Sequence, residues 1–157
     1  FPLQGRKVLV VGNGGVGSPI AASLAAAGVA SMSLFDPNAA ASESLGERLR
    51  EAYPQLEVLT GSKDPAGHDL VVNATPLGMQ DGDPLPFDPA RLSPQTFVGE
   101  VVMKQEITPM LAAAQRKGCR FVVGTDMLFE MIPAYLEFFG FGTATPDELR
   151  AVSRVSY

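Results

Sequence analysis

The chain has 157 residues, 46% hydrophobic and 18% charged, which suits one packed domain and excludes a disordered tail. Its 12 Lys and Arg stand against 17 Asp and Glu, a net charge of -5, so sequence-independent binding to nucleic acid or to an anionic membrane is not expected. One cysteine, Cys119, and one histidine, His68, exclude an intrachain disulfide framework and any multi-thiolate or His-rich metal site, so no metal is expected.

No apolar stretch approaches the length of a membrane-spanning helix, and the opening at Phe1 carries no signal-peptide pattern. A start without Met points to a piece of a longer chain. Lys7 to Val11 (KVLVV) is continuously apolar after the Lys, the signature of a strand buried on both faces of a parallel sheet. Gly15 to Ala27 is an Ala-rich helix that stops at Gly28. Met32 to Phe35 is the second strand. Ser42 to Tyr53 is a helix with Leu45, Leu49 and Ala52 on one face. Leu56 to Leu59 and Leu70 to Val72 are the third and fourth strands. Gln80 to Pro94 is turn-rich and long, a surface loop with one short helix of the kind that borders sites. Phe97 to Val102 is the fifth strand. Thr108 caps a helix with Pro109 in its first turn, closing at Lys117-Gly118. Phe121 to Val123 is the sixth strand. Asp126 to Phe139 is a helix apolar on most sides, expected to pack between elements. Thr145-Pro146-Asp147-Glu148 is a capping box that opens a last short helix. Strand and helix in alternation predict an α/β domain with a doubly wound, mainly parallel six-stranded sheet in three layers.

The first turn carries chemistry. Gly12-Asn13-Gly14-Gly15-Val16-Gly17 matches G-x-G-x-x-G between a buried strand and a helix. In that context the glycines allow a tight turn, close approach of the backbone to a pyrophosphate, and close helix–strand packing, with the helix N-terminus facing the anion. This is the dinucleotide-binding arrangement of the Rossmann fold. Asp36 ends the second strand where an acidic residue accepts hydrogen bonds from ribose hydroxyls. A 2'-phosphate there would meet a carboxylate, and the following Pro37, Asn38 and Ala39 offer no basic partner. NAD is therefore expected rather than NADP.

Two families resemble this opening. Residues 12–36 resemble the start of the ATP-dependent adenylating enzymes that activate ubiquitin-like and sulfur-carrier proteins. That likeness ends after about thirty residues: Asn38 stands in place of a second Asp, and the Arg-Gln pair that follows in those enzymes is absent. The second resemblance runs along nearly the whole chain. Asn73-Ala74-Thr75-Pro76-Leu77-Gly78-Met79 is similar to the N-A-T-P-x-G-M loop of the shikimate/quinate dehydrogenase family. Thr108-Pro109-Met110-Leu111 is similar to its T-P-L-L helix, Gly124-Thr125-Asp126-Met127-Leu128 to its G-x-x-M-L segment, and Leu3-Gln4-Gly5-Arg6-Lys7 to the entry into its cofactor domain.

This resemblance implies the C-terminal, cofactor-binding domain of a two-domain NAD(P)-dependent oxidoreductase of the cytosol. Residues 143–157 would return toward an N-terminal domain that binds a hydroxylated cyclic acid and carries the catalytic Lys and Asp. No catalytic residue is therefore assigned here, and the chain alone is expected to be inactive, as a monomer or a homodimer. The resemblance assigns the pyrophosphate to Gly12, Asn13, Gly14, Gly15, Val16 and Gly17, and the ribose to Asp36. It places Thr75, Pro76 and Gly78 along the cofactor, Val102 and Gly124 beside the nicotinamide, and Met127 and Leu128 packed near it. Two substrate-proximal positions depart from the family. Met103 replaces a Tyr, with Gln105 in place of the Pro that follows it, and Met131 replaces a Gln. Gln pairs with hydroxyls and carboxylates and Met does not, a loss of about 1–3 kcal/mol where partners stay buried. A substrate diverged from shikimate is expected. The adenylating domain and a non-catalytic dinucleotide-binding module remain as alternatives.

Four further features have ordinary readings. His68 is expected as a surface-loop histidine and Cys119 as a small buried hydrophobe. Phe129, Met131, Tyr135, Phe138, Phe139 and Phe141 are expected in the core, with an interface as the alternative. Asp81, Asp83 and Asp88 are expected to be solvated rather than to hold a metal.

Overall fold

In the computed structural model the strands lie in the order β3-β2-β1-β4-β5-β6, and every neighbouring pair is parallel. The structure describes residues 1–153. The strands are β1 (Lys7–Val11), β2 (Ser31–Phe35), β3 (Glu57–Thr60), β4 (Leu70–Asn73), β5 (Phe97–Glu100) and β6 (Arg120–Val122). The helices are α1 (Gly17–Ala26), α2 (Ala39–Ala52), α3 (Pro109–Arg116), α4 (Gly124–Phe138) and α5 (Pro146–Val152), with a 3₁₀ turn at Pro89–Arg91. Six parallel strands interleaved with helices are the architecture that the alternating pattern predicts.

β1 shows why the pattern works. Val8, Leu9, Val10 and Val11 are all buried, because successive side chains point to opposite faces and both faces are covered. Val8 and Val10 join Ala21 and Leu24 of α1 and Leu45 and Leu49 of α2 in one core. Leu9 and Val11 join Met110 and Leu111 of α3, with Phe87 and Leu92 of the long loop, in the other. Each of these Val, Leu, Met and Phe side chains contributes about 1.5–3 kcal/mol on burial. The two cores make three layers, and the loop from Gln80 to Pro94 supplies part of the second.

Several boundaries differ from expectation. α2 begins at Ala39 and buries Ser42, Leu45, Gly46 and Leu49, whereas Ala52 is exposed. Gly46 faces β3, where an added Cβ would already lie 3.4 Å from Thr60 and 3.5 Å from Val58, so close packing there sets the helix's rotation. β5 stops at Glu100 rather than Val102, because the Glu100 carboxylate accepts the N–H groups of Val101 and Val102. α4 begins at Gly124 and buries only Gly124, Thr125 and Phe129. α5 packs on its first half, where Arg150 meets Asp126, Glu130 and the Phe129 ring, and past its far end Phe138, Phe139 and Phe141 are 82%, 67% and 68% exposed and do not form core. Met131 and Tyr135 are exposed as well.

The caps follow the residues. The Thr108 hydroxyl accepts the Leu111 N–H at 3.2 Å, opening α3. Thr145 and Glu148 exchange N–H bonds in the expected capping box of α5. Residues 154–157 of the expected C-terminal return helix lie outside the described residues.

Candidate functional site

β1 and β4 are adjacent, and the chain leaves them toward opposite edges of the sheet. In open parallel sheets the crevice at the carboxyl ends of such strands is where ligands bind. A cleft of about 780 Å³ lies there. Gly12, Gly14, Gly15 and Val16 line it from the turn after β1, Asp36 and Pro37 from the end of β2, Ala74 to Leu77 and Met79 from the loop after β4, and Val101 to Lys104 from the segment after β5.

Two glycines of the turn are sterically required. Gly12 has φ +93°, and a Cβ on it would lie 2.7 Å from the Ala74 backbone. A Cβ on Gly17 would lie 1.8 Å from the Gly12 carbonyl oxygen. The start of α1 is therefore drawn tight against the turn, and no side chain caps it. By contrast, a Cβ on Gly14 or Gly15 would meet nothing within 4 Å. These two bare the backbone to the cleft.

Asp36 ties the turn to β2. Its Oδ2 accepts the Asn13 N–H at 2.8 Å and its Oδ1 accepts the Asn38 N–H at 2.9 Å. Each oxygen keeps a further lone pair for a ligand hydroxyl. The Asn13 side chain points away from the cleft: it is buried, its Nδ2 donates to the Val10 carbonyl at 3.4 Å, and its Oδ1 accepts the Ser42 hydroxyl at 2.7 Å. Beside Asp36 lies a hollow of about 200 Å³ bordered by Glu43 as well, and among the described residues no Lys or Arg lines it. Lys63 sits over the Phe35 ring at 5.7 Å and lines neither space.

The structure gathers Gly12, Gly14, Gly15, Val16, Asp36, Thr75, Pro76, Val102 and Met103 into one cleft and leaves other expected residues around it. Gly17 packs the turn, as above. Gly78 sits behind the lining: its N–H donates to Asp83 Oδ2 at 3.0 Å and its carbonyl accepts the Gln105 amide at 3.2 Å. Gly124 starts α4 directly against Val102, where a Cβ would lie 2.1 Å from the Val102 carbonyl oxygen. Met127 borders a separate apolar groove with Phe1, Leu24 and Val72. Leu128 and Met131 are exposed away from the cleft lining. Reasoning from the sequence missed Lys104, Leu77 and Met79 as lining residues, and it missed the polar residues behind them. Asn73 (0% exposed) and Glu100 (3%) lie buried at the ends of β4 and β5. Burial pushes the Glu100 carboxyl above the usual Glu range, opposed by the hydrogen bonds it accepts. Asn73 stood within a quoted motif and signalled nothing about burial.

The remaining polar candidates are structural. Asp83 accepts the N–H groups of Gly78 and Gln80, which hold its carboxyl below the usual range, and Asp88 caps the 3₁₀ turn; only Asp81 is simply exposed. His68 is half-buried rather than on the surface, with Nε2 3.0 Å from the Ser33 hydroxyl and Nδ1 buried with no partner among the described residues. It is anchored because its loop folds back onto β2. Burial pushes the Cys119 thiol up, and its Sγ–H donates to the Ser93 carbonyl at 3.3 Å. Among the described residues no group of three or more His, Cys, Asp or Glu could hold a metal ion, and no helix is long and apolar enough to cross a membrane.

Comparison with known proteins agrees with this geometry. A protein-family model described as "Putative NAD(P)-binding" matches residues 1–78. The chain is 38% identical to the shikimate dehydrogenase (NADP(+)) of Rubrobacter xylanophilus, over 80% of this chain and 45% of that protein. It is 34% identical to the quinate/shikimate dehydrogenase (NAD(+)) of Corynebacterium efficiens, over 85% of this chain and 49% of that one. Among solved structures, quinate dehydrogenase from Corynebacterium glutamicum in complex with NAD superposes with a TM-score of 0.82 at 28% identity, over 94% of this chain and 54% of that one. The chain spans about half the length of the curated relatives it matches. The adenylating alternative gains no support, since the similarity to dehydrogenases continues far beyond Asp36, where the other likeness ends. Along its length the chain is similar to the NAD(P)-binding half of the shikimate/quinate dehydrogenases.

Proposed function

We propose that this domain holds NAD for an oxidoreductase that interconverts a ring hydroxyl and a ketone on a hydroxylated cyclic acid. The observation that carries the cofactor is the Asp36 carboxylate, fixed by the Asn13 and Asn38 N–H groups at the mouth of a cleft floored by bare glycine backbone. Gly14, Gly15 and Val16 hold the pyrophosphate with backbone N–H groups and the start of α1, while Gly12, whose own N–H donates to the Phe35 carbonyl at 2.7 Å, lines the turn beneath it. Asn13 and Gly17 act indirectly by shaping that turn. Asp36 takes the adenosine ribose hydroxyls. The adjacent hollow, with Asp36 and Glu43 and no basic lining residue, repels a 2'-phosphate, which favours NAD over NADP.

The nicotinamide, when bound, supplies the hydride chemistry. Thr75, Pro76, Val102 and Met103 orient it and exclude water, with Gly78 and Gly124 holding the lining from behind. Proton transfer belongs to a Lys and an Asp outside this sequence. Met103, exposed on the cleft, leaves the substrate side less polar than a Tyr would, which supports a substrate diverged from shikimate. Met131 stands off the cleft and reaches the substrate only if the other half of the enzyme closes over α4. Work in the cytosol fits the reaction class.

Parallel calorimetric titrations with NAD, NADP and ATP test the reading. NAD binding well above NADP and ATP is the expected outcome. ATP bound more tightly than NAD would overturn it.

A further inference from the structure

Behind the cleft lies a buried polar network. Glu100 closes β5 opposite Asn73 of β4 in the sheet register. Its Oε1 accepts N–H bonds from Asn73 Nδ2 at 2.9 Å, Val101 at 3.0 Å and Val102 at 3.2 Å, and its Oε2 accepts the Thr108 hydroxyl at 3.0 Å. Asn73 passes the connection on. Its Nδ2 also donates to the Leu77 carbonyl at 3.2 Å, and its Oδ1 accepts both the N–H and the hydroxyl of Thr75, at 3.1 and 2.6 Å. The Thr75 hydroxyl oxygen then accepts the Leu77 N–H at 3.1 Å. Both segments tied in this way line the cleft: Thr75 and Leu77 on one side, Val101 and Val102 on the other. None of these bonds reaches the Asp36 end.

We infer that Glu100 is a positioning residue that sets the separation of the Thr75–Leu77 and Val101–Val102 walls, and so the shape of the half of the cleft farthest from Asp36. The inference rests on the proposed NAD site. Reach matters here more than charge. One carboxylate spans from the end of β4 to the cap of α3, so with this backbone a side chain one carbon shorter lets go of Asn73 or of Thr108, even though the related motif has Asp at this position. An amide of the same length keeps an acceptor for Asn73, Val101 and Val102, and turns its N–H groups toward the Thr108 oxygen. A buried network left partly unpaired loses the definition of its walls.

The test uses the parent chain, Glu100→Asp and Glu100→Gln, each titrated with NAD and with ADP, which occupies only the Asp36 half. ADP affinity stays within about twofold in all three proteins. NAD affinity stays within about threefold in Glu100→Gln and falls about tenfold in Glu100→Asp, the equivalent of one buried charge-assisted bond. Equal loss of NAD and ADP in Glu100→Asp marks general loosening of the domain and overturns the inference. So does parent-like NAD binding by Glu100→Asp, or a defect in Glu100→Gln as large as in Glu100→Asp. A parent chain that binds neither nucleotide instead defeats the cofactor reading, and this inference with it.

Discussion

The glycine turn separates two roles that a motif alone merges, and a pair of alanine substitutions tells them apart. In Gly17→Ala the new Cβ lies 1.8 Å from the Gly12 carbonyl oxygen, 2.8 Å from the Gly12 carbonyl carbon and 3.3 Å from the Ala74 Cβ. Ordinary non-bonded contact is about 3.5 Å, so the start of α1 must retreat by about 1.7 Å. The atoms it meets first are backbone and cannot swing aside. Overpacking costs about 1–3 kcal/mol, and an unyielding neighbour places this case at the upper end. For a domain of this size that is a fall of roughly 6–12 °C in the thermal midpoint. Gly14→Ala meets nothing within 4 Å, so its stability stays within about 0.5 kcal/mol of the parent. Its methyl group projects where the backbone must approach a pyrophosphate, and NAD affinity falls at least about tenfold. Scanning calorimetry and NAD titration on both variants provide the readout. A Gly17→Ala midpoint matching the parent's would refute the steric argument. A folded Gly14→Ala chain that binds NAD as the parent does would refute the placement of the pyrophosphate.

Asp36→Asn keeps one acceptor for the turn and removes the charge, so NAD binding weakens by about tenfold and the preference over NADP narrows; an unchanged ratio in paired titrations would show that Asp36 does not set it. Acid stability carries a second signature. The Arg91 guanidinium, 2.7 Å from Asp64, and the Ala66 N–H lower the Asp64 carboxyl from 3.8 to about 2. A depressed folded value adds stability above the unfolded value, and that stability is lost as pH falls from about 4 toward 2. Asp64→Asn should flatten this part of the acid unfolding curve, most clearly at low salt, because both partners are largely exposed; a curve unchanged in this window would refute the pairing. Burial raises the Cys119 thiol's pKa, so the native chain reacts slowly with a thiol reagent at pH 7 and rapidly once unfolded in urea. Equal rates in the two states would contradict the buried placement.

What was legible in the sequence was whatever the backbone itself demands. KVLVV read as a strand covered on both faces, and the glycines after it as a tight turn with close helix–strand packing. Both statements concern residue types that the local geometry requires, and the structure shows the same demand as buried valines and as a Cβ that would overlap the Gly12 carbonyl. What was hidden depends on how an element is rotated or where it is stopped by a distant group. Ala52 lay on the apolar stripe of α2, yet the helix turns Gly46 onto β3, because contact between neighbouring elements sets the rotation. Val101 and Val102 read as strand, yet a single carboxylate at Glu100 takes their N–H groups and ends the ladder. The same distinction divides the candidate site. Gly124 seats α4 on the Val102 carbonyl, and that one contact sends Met127 to a different groove and leaves Leu128 and Met131 exposed. A motif therefore carries over where its residue is needed by the backbone, as at Gly12, Gly17 and Gly124. It carries over less surely where its residue is needed for what the side chain touches, because at the end of a sheet that contact is set by the next element and by whatever domain closes against it.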